Sequence, residues 1–450
     1  MLDALLGVLR PCGAMWFSER TTHPGRHCPR YLSLPSSMTT TTSTRVETAA
    51  LRAMIAGEMS DLLDIRHDLH AHPELMFEER RTCEVILGEL SALGITHKTG
   101  LARGTGVLAH LPATERGSRP SVALRADMDA LPIVECTGRS YSSTHHGVMH
   151  ACGHDGHTTI LLGAARVLAK LTHRPNPVTF VFQPAEEGGA GGEQMCLDGC
   201  LEGAAGRGFG PPVARMYGLH GWPQLPLGQI GTRPGPLLAA TDEFTITVRG
   251  TQCHGAYPHL GSDSIVAGAH IVAALQTIAS RNTSPTDSIV VTVGAFHGGT
   301  ASNIIPAETT LIGTVRTLRD DTRAMARRRL FDLVQHTARA HACEAHVEWE
   351  EGYPVTHNDP KLATQVLGVA ESAFGAAGSL LVENPSMGGE DFSYYGRHVP
   401  ACFYFLGLCP PGLEPLGVPQ LHQPDFDFND QALAPGIEMM CRLALSDAPQ

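Results

Sequence analysis

The first apolar rhythm of the chain runs over 47–69, where leucine, isoleucine and alanine recur at helical spacing up to His67-Asp68-Leu69-His70-Ala71-His72-Pro73. A second helix is predicted over 79–93, stopped by Gly94. The pattern then changes to short continuous apolar runs at 106–111, 122–125, 178–182 and 216–219, which read as strands. Between them lies a long apolar helix over 158–171. Strands alternating with helices define an α/β fold whose sites gather at strand ends.

Near residue 240 the rhythm changes again. Residues 243–248 alternate as a strand, 264–280 read as a helix, 288–295 and 309–316 as strands, 322–341 as a helix and 345–349 as a last strand. The order β-α-β-β-α-β is that of a ferredoxin-like unit. Inside an α/β chain it implies an inserted lid or dimerisation domain. After Asp359 the α/β pattern resumes with a helix to Phe374, a strand over 402–406 and a closing helix from Asp430. The expected organisation is a poorly ordered tail over 1–48, a catalytic α/β domain over 49–238 and 352–450, and the insert over 239–351.

Composition narrows the classes. The 450 residues, 42% hydrophobic and 17% charged, suffice for two domains with a sizeable core. A net charge of −12 argues against a nucleic-acid partner. The sequence contains no apolar run of about 18 residues, so no membrane-spanning segment is expected. Twelve scattered cysteines without a CxxC pair point to reduced thiols and a cytoplasmic location. The opening residues, with Asp3 and no basic start, fit a secretory signal poorly. The arginines that follow leave a transit peptide open, and Met38 or Met54 could also initiate the chain.

The chemistry concentrates in a few stretches. His150-Ala-Cys-Gly-His-Asp-Gly-His157 stands directly before the helix predicted from Thr158. If its loop is extended, Cys152 and His154 point the same way. Thiolate and imidazole together suit a borderline-soft divalent ion such as Zn²⁺, and imidazole also accepts Mn²⁺ or Co²⁺. Gln183-Pro-Ala-Glu-Glu-Gly-Gly189 follows an apolar strand. Its adjacent glutamates diverge, so one can bind metal while the other serves as a base. His220 sits at another strand end, where a lone histidine is more often structural, and His422 in Leu421-His-Gln-Pro424 says nothing alone. Asp127 and Asp129 end a strand and are expected to orient a ligand rather than bind the ion. In the insert, His254, Asn303 and Arg316 offer an imidazole, an amide and a guanidinium, apt for polarising a carbonyl and pairing with a carboxylate.

Taken together these stretches resemble the aminoacylase, hippurate hydrolase and auxin-conjugate hydrolase branch of the dinuclear metallopeptidases, with carboxypeptidase G more distant. The resemblance rests on 66–79 (RHDLHAHPELMFEE), 123–132 (ALRADMDALP), 149–158 (MHACGHDGHT), 182–189, 218–222, 254–259, 302–306, 313–317 and 388–393, and covers about 60 to 445. It implies a metal-dependent amidohydrolase that cleaves small N-acyl amino acids, with two divalent ions per subunit (manganese, zinc or cobalt). By that resemblance Cys152, His154, Glu187, His220 and His422 would bind metal, with Cys152 between the ions, and Glu186 would be the general base. His254, lent by a partner subunit of a homodimer or higher oligomer, would steady the oxyanion, while Asn303 and Arg316 would hold substrate. Asp263-Ser264 departs from the Asp-Pro often found in the family, at a helix start. The rival readings are a dipeptidase or carboxypeptidase of the same family and a non-catalytic metal-binding relative, which would have no use for Glu186. A cysteine-nucleophile hydrolase built on Cys152 and His154 is a further rival, separable by its survival of a chelator.

Overall fold

In the computed structural model, which describes residues 47–115, 117 and 119–449, the first apolar rhythm forms helix α1 (Thr48–Ala71). The tail expected over 1–48 otherwise lies outside the described residues. Leu51, Ile55, Leu62 and Leu69 turn one face of α1 into the core, and α2 (Arg80–Ala92) follows. Six strands come next: β1 (Thr96–Leu101), β2 (Gly106–Leu111), β3 (Ser121–Asp127), β4 (Val178–Gln183), β5 (Val213–Pro226) and β6 (Ile230–Thr232). Helix α3 (His154–Lys170) lies between β3 and β4, and the short α4 (Gly191–Leu197) between β4 and β5. A second group runs β7 (Gly235–Leu238), β8 (Ala240–Arg249), β9 (Cys253–His254), α5 (Ser264–Thr277), β10 (Ile289–Gly298), β11 (Ile304–Ile305), β12 (Glu308–Thr317), α6 (Asp320–Ala340) and β13 (Glu344–Glu351). The chain closes with β14 (Thr356–Asn358), α7 (Pro360–Phe374), β15 (Ser379–Leu381), β16 (Ala401–Cys409) and α8 (Leu433–Leu445).

Eight strands make one sheet in the order β1-β2-β4-β3-β5-β16-β6-β15. Its centre, β4-β3-β5-β16, is parallel. Both faces of that centre are buried, so consecutive residues feed two different cores. Phe180 and Phe182 join the side packed by α1, α3 and α8, while Val181 between them joins the other. Burial on both faces is why these strands read as unbroken apolar runs rather than alternating ones. Strand β1, by contrast, is a half-exposed edge of sequence Thr-His-Lys-Thr-Gly-Leu, and its polar run gave no strand signal.

Residues 240–351 build a separate four-stranded antiparallel sheet, ordered β10-β12-β8-β13, with α5 and α6 packed on it over a core of its own. Among the described residues, no helix is long and apolar enough to cross a membrane. The ten cysteines among them are all unpaired.

Candidate active site

Cys152 and His154 do not lie in one extended loop. His154 is the first residue of α3, and the left-handed turn between them falls on Gly153 (φ 86°). Gly153 also backs onto Phe428, whose ring would stand 2.9 Å from any Cβ there, so both conformation and packing require glycine. Starting the helix at His154 fixes Asp155 in its first turn. There Asp155 accepts from Arg66 Nε (3.0 Å) and pairs with His70 Nδ1 (2.8 Å), both from α1. The histidine-rich end of α1 therefore braces the start of α3. That interaction holds His70 well above the usual histidine range: burial alone would lower its pKa, but Asp155 and Glu135 raise it to about 9.

The turn after β4 carries the two glutamates. Asp129 accepts from both their amides, Glu186 N at 3.0 Å and Glu187 N at 2.9 Å, through its two carboxylate oxygens. Its carbonyl also meets His154 Nδ1 at 2.9 Å. Asp127 meets His157 Nδ1 at 2.6 Å and Arg125 Nη1 at 2.6 Å. His157 Nε2 in turn accepts from Gly221 N at 2.7 Å. His157 is thus held by Asp127 through Nδ1 and holds the backbone beside His220 through Nε2. Both aspartates hydrogen-bond neighbouring groups, and Asp127 also has an oxygen within 4.8 Å of donor nitrogens of His154 and His157.

Around them the structure gathers Cys152, His154 and His220 in one group, and Cys152, Glu187 and His422 in another, each with donor atoms within 4.8 Å. Cys152 Sγ lies 3.3 Å from His220 Nε2, and His422 Nε2 lies 3.2 Å from Glu187 Oε1. Cys152 is common to both groups, and His154 also shares a third with Glu186 and Glu187. His422, featureless in sequence, arrives through a left-handed backbone (φ 66°) and a bond from its amide to Ala151 O at 2.8 Å.

These residues fit divalent cations. His154 Nε2 is buried without a hydrogen-bond partner and faces the group, as an imidazole ligand must. The donor set mixes thiolate, imidazole and carboxylate, as Zn²⁺ or Mn²⁺ sites do. Burial depresses His220 to about 3, which keeps it in the neutral, ligating form. Burial and then the neighbouring Glu187 and Glu186 push the Cys152 thiol well up. Burial would lower His154, but Asp127 and Asp129 raise it to about 10. The carboxylates that favour a proton on these groups equally favour a cation in its place.

Glu186 lies within 4.8 Å of His154 and Glu187 and also faces Glu390 and Asp391. Burial and then Glu390, Glu187, Asp391 and Asp129 raise its carboxyl well above the ordinary range. Glu390 and Asp391 are held by Arg125 Nη2 at 3.0 and 2.9 Å, and Asp391 N donates to Glu186 Oε1 at 3.4 Å. His254 and Asn303 are exposed on the insert, tied together by Gly255 N donating to Asn303 O at 2.7 Å, and are not among the side chains around Cys152. Arg316 reaches nearer, its Nη1 3.7 Å from where a Cβ on Gly389 would be. Glu79, Arg66, Arg125, Tyr353 and the Glu390-Asp391 pair escaped a reading of residue type alone. The stretches 66–79, 123–132 and 388–393 that carry the family resemblance signalled part of this support, and nothing signalled Tyr353.

His220, expected at a strand end, lies within β5 instead, and metal donors gathered there beside the parallel strands, with a further buried carboxylate next to them, define a metallohydrolase. The sequence pattern of peptidase family M20/M25/M40 matches residues 123–446, and the chain belongs to that family. It is 38% identical over 373 residues to the N-acetyl-L-cysteine deacetylase of Bacillus subtilis (strain 168), covering 83% of this chain and 84% of that protein. It is 36% identical over 388 residues to IAA-amino acid hydrolase ILR1-like 4 of Arabidopsis thaliana, covering 85% and 84%. A Bacillus subtilis crystal structure described as a dinuclear metal binding peptidase from the M20 family superimposes with a TM-score of 0.72 at 32% identity, covering 87% of this chain and 98% of that one.

Proposed function

We propose that this protein is a metal-dependent amidohydrolase that splits N-acyl amino acids into a carboxylic acid and a free amino acid. The observation that carries the reading is the division of labour after β4. One Asp129 carboxylate holds both glutamate amides; both glutamates bring an oxygen close to His154, but Glu187 also meets Cys152 and His422, whereas Glu186 also meets Glu390 and Asp391. Cys152, His154, Glu187, His220 and His422 would hold two divalent ions, whose chemistry is to activate water and polarise a carbonyl. Glu186 takes the proton of the attacking water and returns it to the departing amine, a task for which a raised carboxyl is suited. Arg316 pairs with the substrate carboxylate in a fork, and Asn303 donates to the substrate near its carbonyl. His254 donates to the oxyanion as the carbonyl becomes tetrahedral.

We read 49–238 with 352–450 as the catalytic domain and 239–351 as a ferredoxin-like dimerisation and lid domain. Its surface exposes Ile265 and Val266 of α5 with Phe296 of the edge strand β10 on the same side, an apolar surface that a second copy would cover. A partner copy would also supply His254. The relatives named N-acetyl-L-cysteine deacetylase and IAA-amino acid hydrolase ILR1-like 4 favour blocked amino acids over free peptides as substrates. The unpaired cysteines fit a reducing compartment, hence the cytoplasm.

The test is hydrolysis of N-acetyl-, N-benzoyl- and indole-acetyl-amino acids beside free dipeptides, with Mn²⁺, Co²⁺ or Zn²⁺ added and after chelation. Metal-dependent cleavage of blocked amino acids is the expected result. Preference for dipeptides would move the assignment to a peptidase, and no turnover with metal bound would overturn it.

A further inference from the structure

The turn carrying Glu186 and Glu187 is held from two sides. From within the large-sheet body, Asp129 takes both glutamate amides, and Glu79 accepts from Ala185 N at 2.9 Å. On the other side stands Tyr353, two residues past the end of β13, where the chain leaves the four-stranded unit. Its hydroxyl donates to Glu186 O at 2.5 Å and accepts from Gly188 N at 2.8 Å. One side chain therefore spans the two residues that bracket Glu187.

Tyr353 is itself pinned to the four-stranded unit. Its amide donates to Thr241 Oγ1 and its carbonyl accepts from Thr241 N, both at 3.0 Å. Next to it, Gly352 accepts from Arg323 Nη2 at 2.9 Å and donates to Asp242 Oδ1 at 3.3 Å. Arg323 and Asp242 close a buried bidentate pair between α6 and β8 at 2.8 and 2.6 Å. A Cβ on Gly352 would sit 2.3 Å from Thr241 O, so the segments entering and leaving the unit pack backbone to backbone. A Cβ on Gly389 would lie 3.6 Å from the Tyr353 ring and 3.7 Å from Arg316 Nη1, which puts both against the same loop.

We propose that Tyr353 is a positioning residue, whose hydroxyl sets the Glu186–Glu187 turn relative to the four-stranded unit that carries Arg316. The inference rests on Glu186 as the base. It adds that the distance between base and substrate anchor is fixed by one phenol bridging the two structural units. Proton transfer tolerates little error, and a misplacement of about 1 Å can cost on the order of 100-fold in rate.

Tyr353→Phe removes the hydroxyl and keeps the ring. In the full chain with its metals, kcat should fall roughly 10- to 100-fold, with KM within about threefold. Metal per subunit, measured by mass spectrometry, should match the wild type. Hydrogen exchange should quicken by at least about tenfold at the amides of 185–191 and stay unchanged elsewhere. Arg323→Lys, which loosens Gly352 without touching the turn, should quicken the same amides by less. Tyr217→Phe, which deletes a hydroxyl bond to Gln365 (2.6 Å) elsewhere in the large-sheet body, should change neither kcat nor those amides. Wild-type kcat and wild-type exchange in Tyr353→Phe would overturn the proposal. So would metal loss or faster exchange throughout the molecule, which would mark a merely structural tyrosine. Unchanged amides in Arg323→Lys would sever the link to the four-stranded unit and overturn it as well. Glu186→Gln is assayed alongside: if it retains turnover, the base assignment fails. Exchange at 185–191 still decides whether Tyr353 holds the turn.

Discussion

A carboxylate in this site acts according to what its neighbours leave it. Asp127 and Asp129 have their oxygens occupied by imidazole, guanidinium and amide donors, so they orient. Glu186 is surrounded by other acids and is left with a raised affinity for a proton, so it can act as a base that also returns the proton. Glu186→Gln is expected to lower kcat about 10²- to 10⁴-fold while metal per subunit is unchanged. Loss of metal together with activity would instead make Glu186 a ligand. His70 makes a second prediction, on stability. Its folded pKa of about 9 lies above the unfolded value of 6.5, so its contribution is complete below pH 6.5 and is lost as pH rises through 9. His70→Gln should therefore cost about 1–3 kcal/mol in urea unfolding at pH 6. The difference should be smaller at pH 9.5, and a gap that widened with pH would contradict the pairing with Asp155.

Elements matter here through where they begin and end. Starting α3 at His154 turns a ligand and its brace Asp155 into consecutive residues of one helical turn. Starting α4 at Gly191 presses that residue onto the segment before the glutamates, where an added Cβ would fall 1.7 Å from Pro184 O. Gly191→Ala cannot be accommodated by a side-chain rotation, because the obstacle is backbone. It should destabilise the protein by about 1–3 kcal/mol and lower kcat by more than that loss explains, since the displaced segment carries Glu186. Equal kcat in the folded variant would show that the turn tolerates the shift. The unusual Ser264 also has a structural use. Asp263 caps α5 by accepting from Ile265 N and Val266 N, while Ser264 Oγ bonds Pro306 O (2.9 Å) and Thr309 Oγ1 (3.0 Å). Proline at 264 would preserve the helix start and lose both bonds.

In the molecule as a whole, the donors come from the loop before α3, the start of α3, the turn after β4, strand β5 and the loop after β16, so bound ions cross-link segments far apart in sequence. Chelation should therefore lower the melting temperature as well as activity; ligand at 100 times its Kd contributes about 2.7 kcal/mol. A melting curve indifferent to chelator would remove the ions from the site. If a second copy covers the apolar surface of Ile265, Val266 and Phe296, Val266→Asp should shift sedimentation from dimer toward monomer. It should also reduce turnover, because His254 would no longer be supplied. A fully active monomer would place His254 outside the reaction.

The elements buried on one or both faces were legible before the structure, because apolar periodicity records burial directly: α1, α3, β2, β4 and the helices of the four-stranded unit all follow it. Donor chemistry was legible where it is dense, at Cys152 and His154 and at Glu186 and Glu187, since such side chains packed closely together have few other uses. Edge strand β1 was not legible, because half-exposed backbone pairing leaves no apolar pattern. Nor, apart from the family resemblance, was the weight of His422, Glu79 or Arg125, each an ordinary residue in its own stretch, and Tyr353 had no signal at all. Only the tertiary structure brings His422 to Glu187 and Tyr353 to Glu186, because contacts between segments more than 160 residues apart depend on how the sheets and loops close in space rather than on local sequence.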